Sequence, residues 1–332
     1  MARIALPWKL RELGVVGINA RNGDYIAPCN PRRLFPRVDD KVLTKRLAIE
    51  AGIAVPELYG VIATNHDIRR LPKLLGARED FVIKPAHGSG GEGIVVVEGR
   101  FGDLYRKASG ALLSLEDLEY HVSGILSGMY SLGGQPDQAM VEYRVRFDRL
   151  FESITWHGVP DVRTIVYHGY PVMAMMRLPT RLSGGKANLH QGAVGAGIDL
   201  ATGRTLDGVW RDRRVSVHPD TGAAIAGCEV PLWDPLLELA ASCRELSGLG
   251  YLGVDVVLDA ERGPLMLELN ARPGLGIQIA NGIGLRGCLE AVDRELGGRE
   301  PPTVAERVAF AKARFGRDGP PAVSGQGPAD GG

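Results

Sequence analysis

Between Phe81 and Val97 the chain passes from one apolar run through a cluster of glycines into another, and this segment limits the folds open to it. Phe81-Val82-Ile83-Lys84 and Ile94-Val95-Val96-Val97 read as buried strands. The connection, His87-Gly88-Ser89-Gly90-Gly91-Glu92-Gly93, holds four glycines within residues 88–93. Glycine lets backbone N–H groups approach a polyphosphate without side-chain obstruction. Lys84, at the strand end, adds a compact cation. The Gly-Lys-Ser/Thr ending of a P-loop is absent. Taken alone, the segment is equally a flexible hairpin turn.

A second hairpin is legible near the other end. Val254–Asp259 and Leu265–Asn270 flank a turn at residues 260–263. Residues two apart in a strand share a face, so Glu268 and Asn270 project oxygens one way, with Leu267 and Leu269 expected behind. Asp255 on the preceding strand can face them. Two carboxylates and an amide oxygen make a hard-oxygen set suited to Mg²⁺ held partly by nucleotide phosphates. The bland alternative is the polar face of an amphipathic hairpin.

Between and around these motifs the pattern is mixed. Asp39 or Asp40 caps a helix with Leu43 and Leu47 on one face, ended by Gly52. Ser114 caps another, with Leu118, Val122, Ile125 and Met129 as its apolar stripe. Strands are expected at 139–143, 151–157, 163–168 and 171–177, the last two joined by a Gly169-Tyr170 turn. A polar loop spans 180–192. Asp234-Pro235 opens a helix as its cap, and two more helices lie near 285–296 and 304–315. Trp8 and Trp210 read as packing residues. The resulting division is an N-terminal arm (1–40), a subdomain with the glycine lid (41–145), a second subdomain with the acidic hairpin (146–315) and a disordered tail (316–332).

Arg163 and Arg177 fall on neighbouring strands. Either they share a face, and two like charges then need an anion between them, or they point to opposite faces as ordinary surface pairs. Composition removes other classes of function. The 39 basic and 39 acidic side chains balance, so no broad basic field marks nucleic acid as a partner. No run is long enough for membrane insertion. Cys29, Cys228, Cys243 and Cys288 are scattered without a C-x-x-C pair, which fits neither a zinc site nor a disulfide framework and suits a reduced, cytoplasmic setting.

The order Asp40-Lys41, Gly52-Ile53-Ala54-Val55-Pro56, Val82-Ile83-Lys84-Pro85 with its glycine loop, Val141-Glu142-Tyr143 and Glu268-Leu269-Asn270 resembles the ATP-grasp superfamily. The second half is similar to the RimK-type glutamate ligases through Asp161-Val162-Arg163, Asn188-Leu189-His190, Gly253-Val254-Asp255 and the stretch from Glu268 to Leu275. The whole chain looks like the alpha-L-glutamate ligase-like group, near the ATP-grasp proteins associated with sugar transfer. That resemblance implies an α+β ATP-grasp fold, with two α/β subdomains gripping ATP.

The resemblance also implies roles. Lys41, Lys84 and the loop Gly88, Ser89, Gly90, Gly91, Glu92 and Gly93 would meet nucleotide phosphates. Glu142, Tyr143 and Val145 would lie beside adenine. Asp255, Glu268 and Asn270 would hold one or two Mg²⁺, with Mn²⁺ as a substitute. Arg163, Arg177, Asn188 and Arg272 would face the transferred phosphate or the substrate carboxylate. The implied activity is carboxylate–amine ligation through an acyl-phosphate, joining a small-molecule carboxylate such as glutamate to an amine or peptide acceptor. Alternatives are a ligase acting on a cell-surface or sugar-linked precursor, an ATP-grasp phosphotransferase and a non-ligating ATP-binding member. Two departures stand out. About 40 residues precede Lys41 where RimK-type enzymes carry a longer domain, so a partner protein could supply that surface. Gln191 also stands where those enzymes commonly show Arg.

Overall fold

The computed structural model describes residues 7–88, 90–147 and 149–317; the expected tail from 318 onward and Ser89 lie outside them. Asp40, not Asp39, caps the first long helix. Its carboxylate accepts from the N–H groups of Val42 (2.9 Å) and Leu43 (3.1 Å), satisfying donors that the first helical turn leaves free. The helix, α1, runs Lys41–Glu50, and Gly52 follows at φ +71°.

The first sheet is built from β1 (Leu58–Ile62), β2 (Phe81–Pro85), β3 (Val95–Phe101), β4 (Leu104–Lys107), β5 (Leu112–Leu113) and β6 (Ala139–Glu142), in the order β1-β6-β2-β3-β4-β5 with antiparallel neighbours. Ser114 and Asp117 form a capping box at the start of α2 (Leu115–Leu126). Leu118, Val122 and Ile125 pack on Phe81, Ile83 and Val141. Met129 falls outside this stripe: α2 stops at Leu126, and Met129 is exposed.

The second sheet comprises β7 (Asp161–Tyr167), β8 (Tyr170–Leu178), β9 (Val194–Ile198), β10 (Thr205–Trp210), β11 (Arg213–Val215), β12 (Tyr251–Asp259) and β13 (Gly263–Asn270), ordered β11-β10-β9-β8-β7-β12-β13. Its neighbours are also antiparallel, so the architecture is α+β with two antiparallel sheets. One face packs on α3 (Trp233–Ser247) through Val162, Val254, Leu236 and Ala240. The other is covered at one end by the N-terminal residues, α4 (Gly276–Asn281) and α5 (Arg286–Leu296). A last helix, α6 (Val304–Phe315), opens on a Thr303–Glu306 capping box. Among the described residues no helix is long and apolar enough to cross a membrane.

The N-terminal residues are less free than an arm. Asn30 donates to the Tyr251 carbonyl (2.7 Å) and accepts from its N–H (2.9 Å), standing in for a missing strand neighbour. Gln278 likewise holds both backbone groups of Val16, accepting from its N–H at 2.8 Å and donating to its carbonyl at 3.0 Å. Tyr25 and Ile26 are buried with Tyr167 and Tyr251.

Some expectations are corrected. Residues 151–157 form no strand; Arg149–Ile154 is a 3₁₀ turn whose three-residue spacing buries Phe151 and Ile154 together. The helix α3 starts before Asp234, with Leu232 at φ +52° in the cap position, so Asp234 lies inside the first turn and pairs with Lys312 instead. The β7–β8 turn is His168-Gly169, and Tyr170 already belongs to β8. Trp8 is exposed, whereas Trp210 does pack, its indole N–H on the Gly192 carbonyl at 2.9 Å.

Candidate functional site

Alternation along the second sheet divides one face into an apolar and a charged end. On β7, Ile165 and Tyr167 lie under the N-terminal residues and α5, while Asp161 and Arg163 on the same face lie beyond them. On β8, Met173 and Met175 are covered and Arg177 follows. On β12, Tyr251 is covered and Asp255 follows. Register places Asp255 directly opposite Arg163, and Asp161 opposite Arg177.

The charges therefore meet. Arg163 donates through Nε to Asp255 Oδ1 (2.7 Å) and through Nη2 to Oδ2 (2.6 Å). Arg177 Nη2 reaches the same Oδ2 at 2.8 Å. Its Nε bonds Asp161 Oδ1 at 2.5 Å, and its Nη2 also meets Asp161 Oδ2. The two arginines thus share a face, and the anion between them is Asp255. Burial pushes the Asp255 carboxyl up, but Arg163 and Arg177 outweigh it and hold it at about 2. Burial takes the Asp161 carboxyl up to about 6 against the pull of Arg177, with the nearby Asp255 charge adding to the rise.

Across the hairpin Glu268 faces Asp255 in register, and Asn270 Nδ2 comes within 3.4 Å of Asp255 Oδ2. The register then slips by one residue. Leu267, expected behind the strand, packs instead with Val145, Val257 and Leu265, while Leu269 lies on the α3 side. A β-bulge puts two successive residues against one and redirects a side chain in this way.

Glu268 Oε1 is 3.4 Å from Lys41 Nζ. Lys41, Lys45, Lys84, Glu268, Leu267 and Leu269 line one narrow cleft between α1, β2 and β13. Behind it lies a buried triad absent from the sequence reading. Glu142 takes Lys84 Nζ on Oε1 at 2.5 Å and Lys45 Nζ on Oε2, and Lys45 also donates to the Pro56 carbonyl at 2.7 Å. Burial pushes the Lys45 amine down to about 8, with Glu142 opposing. Burial would raise the Glu142 carboxyl, but Lys84 and Lys45 bring it below its ordinary range. Two cations on one anion leave the triad a net positive charge. Lys45 sits four residues after Lys41, on the same helical face, which was the one available signal.

The glycine loop lies against both halves. Lys41 Nζ donates to the Gly88 carbonyl at 2.7 Å. Gln191 Nε2 donates to the Gly90 carbonyl at 3.2 Å. Gly90, Gly91 and Gly93 take φ values of +64°, +76° and +72°, a region that disfavours side chains. A Cβ on Gly93 would come within 2.5 Å of the Tyr130 ring, and one on Gly91 within 3.4 Å of the Lys186 stem. His87 is occupied by Asp137, its Nδ1 at 2.8 Å and its backbone N–H at 3.0 Å. Asn188 accepts from the His190 N–H at 3.0 Å, and His190 itself is exposed.

At the hinge the Tyr143 N–H bonds the Glu57 carbonyl at 2.8 Å, and the Arg262 guanidinium lies 4.0 Å above the Tyr143 ring. Arg272 is exposed and stacks on Phe35 at 4.7 Å, while Arg21 Nη1 donates to the Pro273 carbonyl at 2.7 Å. Among the described residues no three His, Cys, Asp or Glu side chains cluster as a metal cage. The oxygens of Glu268 and Asn270 suit a hard cation that keeps water or phosphate ligands. Asp255, already bonded on both oxygens, would have to share them with Arg163 and Arg177.

The family model described as sugar-transfer associated ATP-grasp matches residues 20–294. A probable alpha-L-glutamate ligase of Parasynechococcus marenigrum is 26% identical over 274 residues, 82% of this chain and 44% of that one. The ribosomal protein bS6–L-glutamate ligase of Salmonella paratyphi B is 26% identical over 266 residues, 80% of this chain and 66% of that one. The chain thus spans less than two thirds of either relative. The solved ATP-grasp ligase PsnB complexed with its minimal precursor superposes with a TM-score of 0.43 at 17% identity, covering 81% of this chain and 63% of that one.

Proposed function

The chain belongs to the sugar-transfer associated ATP-grasp family, and on that premise we propose that it is an ATP- and Mg²⁺-dependent ligase joining a carboxylate to an amine through an acyl-phosphate. One observation carries the reading: a lysine-lined cleft ends at Glu268, one strand away from a paired-arginine cluster. The first suits a polyphosphate. The second suits a carboxylate or a transferring phosphoryl group, which guanidinium forks match bidentately.

In this reading Lys41 and Lys84 neutralise phosphate oxygens, while the backbone of residues 88–93 closes over them. Glu142 pairs with Lys84 and Lys45 behind the cleft and fixes both amines at its wall. The hinge at Tyr143 and Val145, with Leu265 and Leu267, gives adenine an apolar bed. Glu268 and Asn270, with a share from Asp255, would hold Mg²⁺, which supplies charge neutralisation between the phosphates. A substrate carboxylate oxygen attacks the γ-phosphorus, and the bond to the ADP oxygen breaks. An amine then attacks the acyl carbon, loses a proton, and phosphate departs with its bonding pair. Arg163, Arg177, Asn188 and Arg272 serve the anionic side of both steps. The protein's contribution is position and electrostatics.

The relatives' names support glutamate as the donor; the family description supports a sugar-linked acceptor, with the same chemistry and another product. An ADP-release screen crossing carboxylates with amines tests the proposal, and product mass identifies the acceptor. ADP release needing only one of the two substrates, with no condensed product, would replace ligation by phosphate transfer or hydrolysis.

A further inference from the structure

The two arginines of the cluster are not equivalent. Among the described residues Arg163 has one anionic partner, Asp255; Arg177 has two, Asp255 and Asp161. Asp161 is buried and opposes Arg177 across the β7–β8 pair. Its carboxylate takes the Nε edge of the guanidinium at 2.5 Å and meets Nη2 as well. Asp255, by contrast, is shared, and lies on the hairpin face that also carries Glu268 and Asn270. An anion entering the cluster competes with Asp255. Once Asp255 yields, Arg163 has no side-chain anion left among the described residues to define its direction, whereas Arg177 is still held by Asp161 along its Nε–Nη2 edge, and the Nη2 valence that Asp255 occupied is free for the incoming anion.

We propose that Asp161 is a positioning residue: it fixes Arg177 as the permanent half of the anion-binding pair, while Arg163 is the half that Asp255 releases. The inference rests on the reading that this cluster receives the substrate's carboxylate or phosphoryl group. Asp161 acts through Arg177 and touches no reacting atom.

Sulfate is the probe, a tetrahedral dianion whose charge is constant over the working pH range. Its affinity is measured calorimetrically on protein loaded with Mg²⁺ and ADP, alongside the affinity for ADP itself. Asp161→Asn preserves shape but loses the charge and one acceptor of a charge-assisted pair, and such pairs are the stronger class of hydrogen bond. Sulfate affinity should fall by about tenfold or more, with ADP affinity within about twofold of wild type; a general loosening of the fold would weaken both. In an Arg177→Lys background Asp161→Asn should add little, since its effect passes through Arg177. Sulfate affinity unchanged in Asp161→Asn, or equal and additive losses in the two backgrounds, overturns the inference while leaving the site reading intact. Wild-type protein that binds Mg²⁺-ADP but takes up no sulfate, or takes it up independently of Arg163 and Arg177, overturns the site reading and this inference with it. Should Asp161→Asn fail to fold, Asp161→Glu keeps the charge, displaces it by one methylene and is expected to lower sulfate affinity in the same selective way.

Discussion

Arg163 and Asp255 are cross-strand neighbours in register, and their side chains close on each other with two parallel bonds of 2.7 and 2.6 Å. The pair is nearly shut off from water, so neither partner is replaceable by mere charge. Arg163→Lys keeps the charge but loses the fork. With a substrate pair found by the ADP-release screen, turnover should drop roughly 10- to 100-fold in Arg163→Lys and in Arg177→Lys, with little change in nucleotide affinity. Near-wild-type turnover in both would move the substrate site toward Asn188, His190 and the N-terminal residues.

Glu268 lines the cleft and Asn270 stands beside Asp255, and neither packs in the apolar core. Glu268→Ala and Asn270→Ala should each abolish ADP formation while the far-ultraviolet dichroism and the unfolding midpoint stay close to wild type. Activity surviving in either variant, or ligation indifferent to chelation of Mg²⁺, removes the metal assignment.

How far the sequence could be read depended on how local each determinant was. The cap at Asp39 or Asp40, the cap at Ser114 and the hairpin ending at Asn270 lie within a few residues of what they control; the first falls to Asp40, and the other two appear where expected. The strands at 194–215 went unread: Val194-Gly195-Ala196-Gly197-Ile198 offers no large side chains to alternate. Yet Gly197 is needed there because a Cβ would come within 2.8 Å of the Ala280 carbonyl on α4. The bulge at Leu267 leaves no mark in composition and reverses the facing of Leu267, Met266 and Leu265 relative to Glu268 and Asn270. Asp255 as the partner of two arginines required the strand order, with β12 beside β7 and β7 beside β8, which no local pattern carries.

Lys45 makes a pH signature. Its amine falls to about 8 in the folded chain from an ordinary 10.5, first through burial. Between those values the unfolded chain holds the proton more often than the folded one, so the contribution to stability rises with pH across that window. Over the full window the gain is roughly 3 kcal/mol. Lys45→Met should flatten the rise in unfolding free energy between pH 8 and 10. A slope identical to wild type would place the titration elsewhere.

Gln191 holds the Gly90 carbonyl from the opposite half of the molecule. Hydrogen exchange in residues 88–93 should be faster in Gln191→Ala than in wild type without nucleotide, and should slow in both when a non-hydrolysable ATP analogue and Mg²⁺ bind. Exchange insensitive to nucleotide, with binding demonstrated independently, would rule out closure of this loop over phosphates.

Gly284 lies against the chain at Gly14, where a Cβ would meet the Gly14 carbonyl carbon at 2.1 Å. Gly284→Ala forces the backbone apart and should cost about 1–3 kcal/mol or more, seen as a lower urea midpoint. An unchanged midpoint would show that this junction adds little to stability.

That junction also sets an order of events during synthesis. Val16 bonds a residue 262 positions later, and Asn30 one 221 positions later. A ribosome delivering roughly 5–20 residues per second leaves Val16 and Asn30 without these partners for on the order of ten seconds to a minute. The first sheet can pair in that interval, since its strands all lie between residues 58 and 142. The tyrosine-rich face of the second cannot be covered until the chain has been made through α5. Residues 16–30, made before either sheet, are therefore among the last to dock, and a slow or interrupted translation of residues 250–290 prolongs the exposure of that face to aggregation.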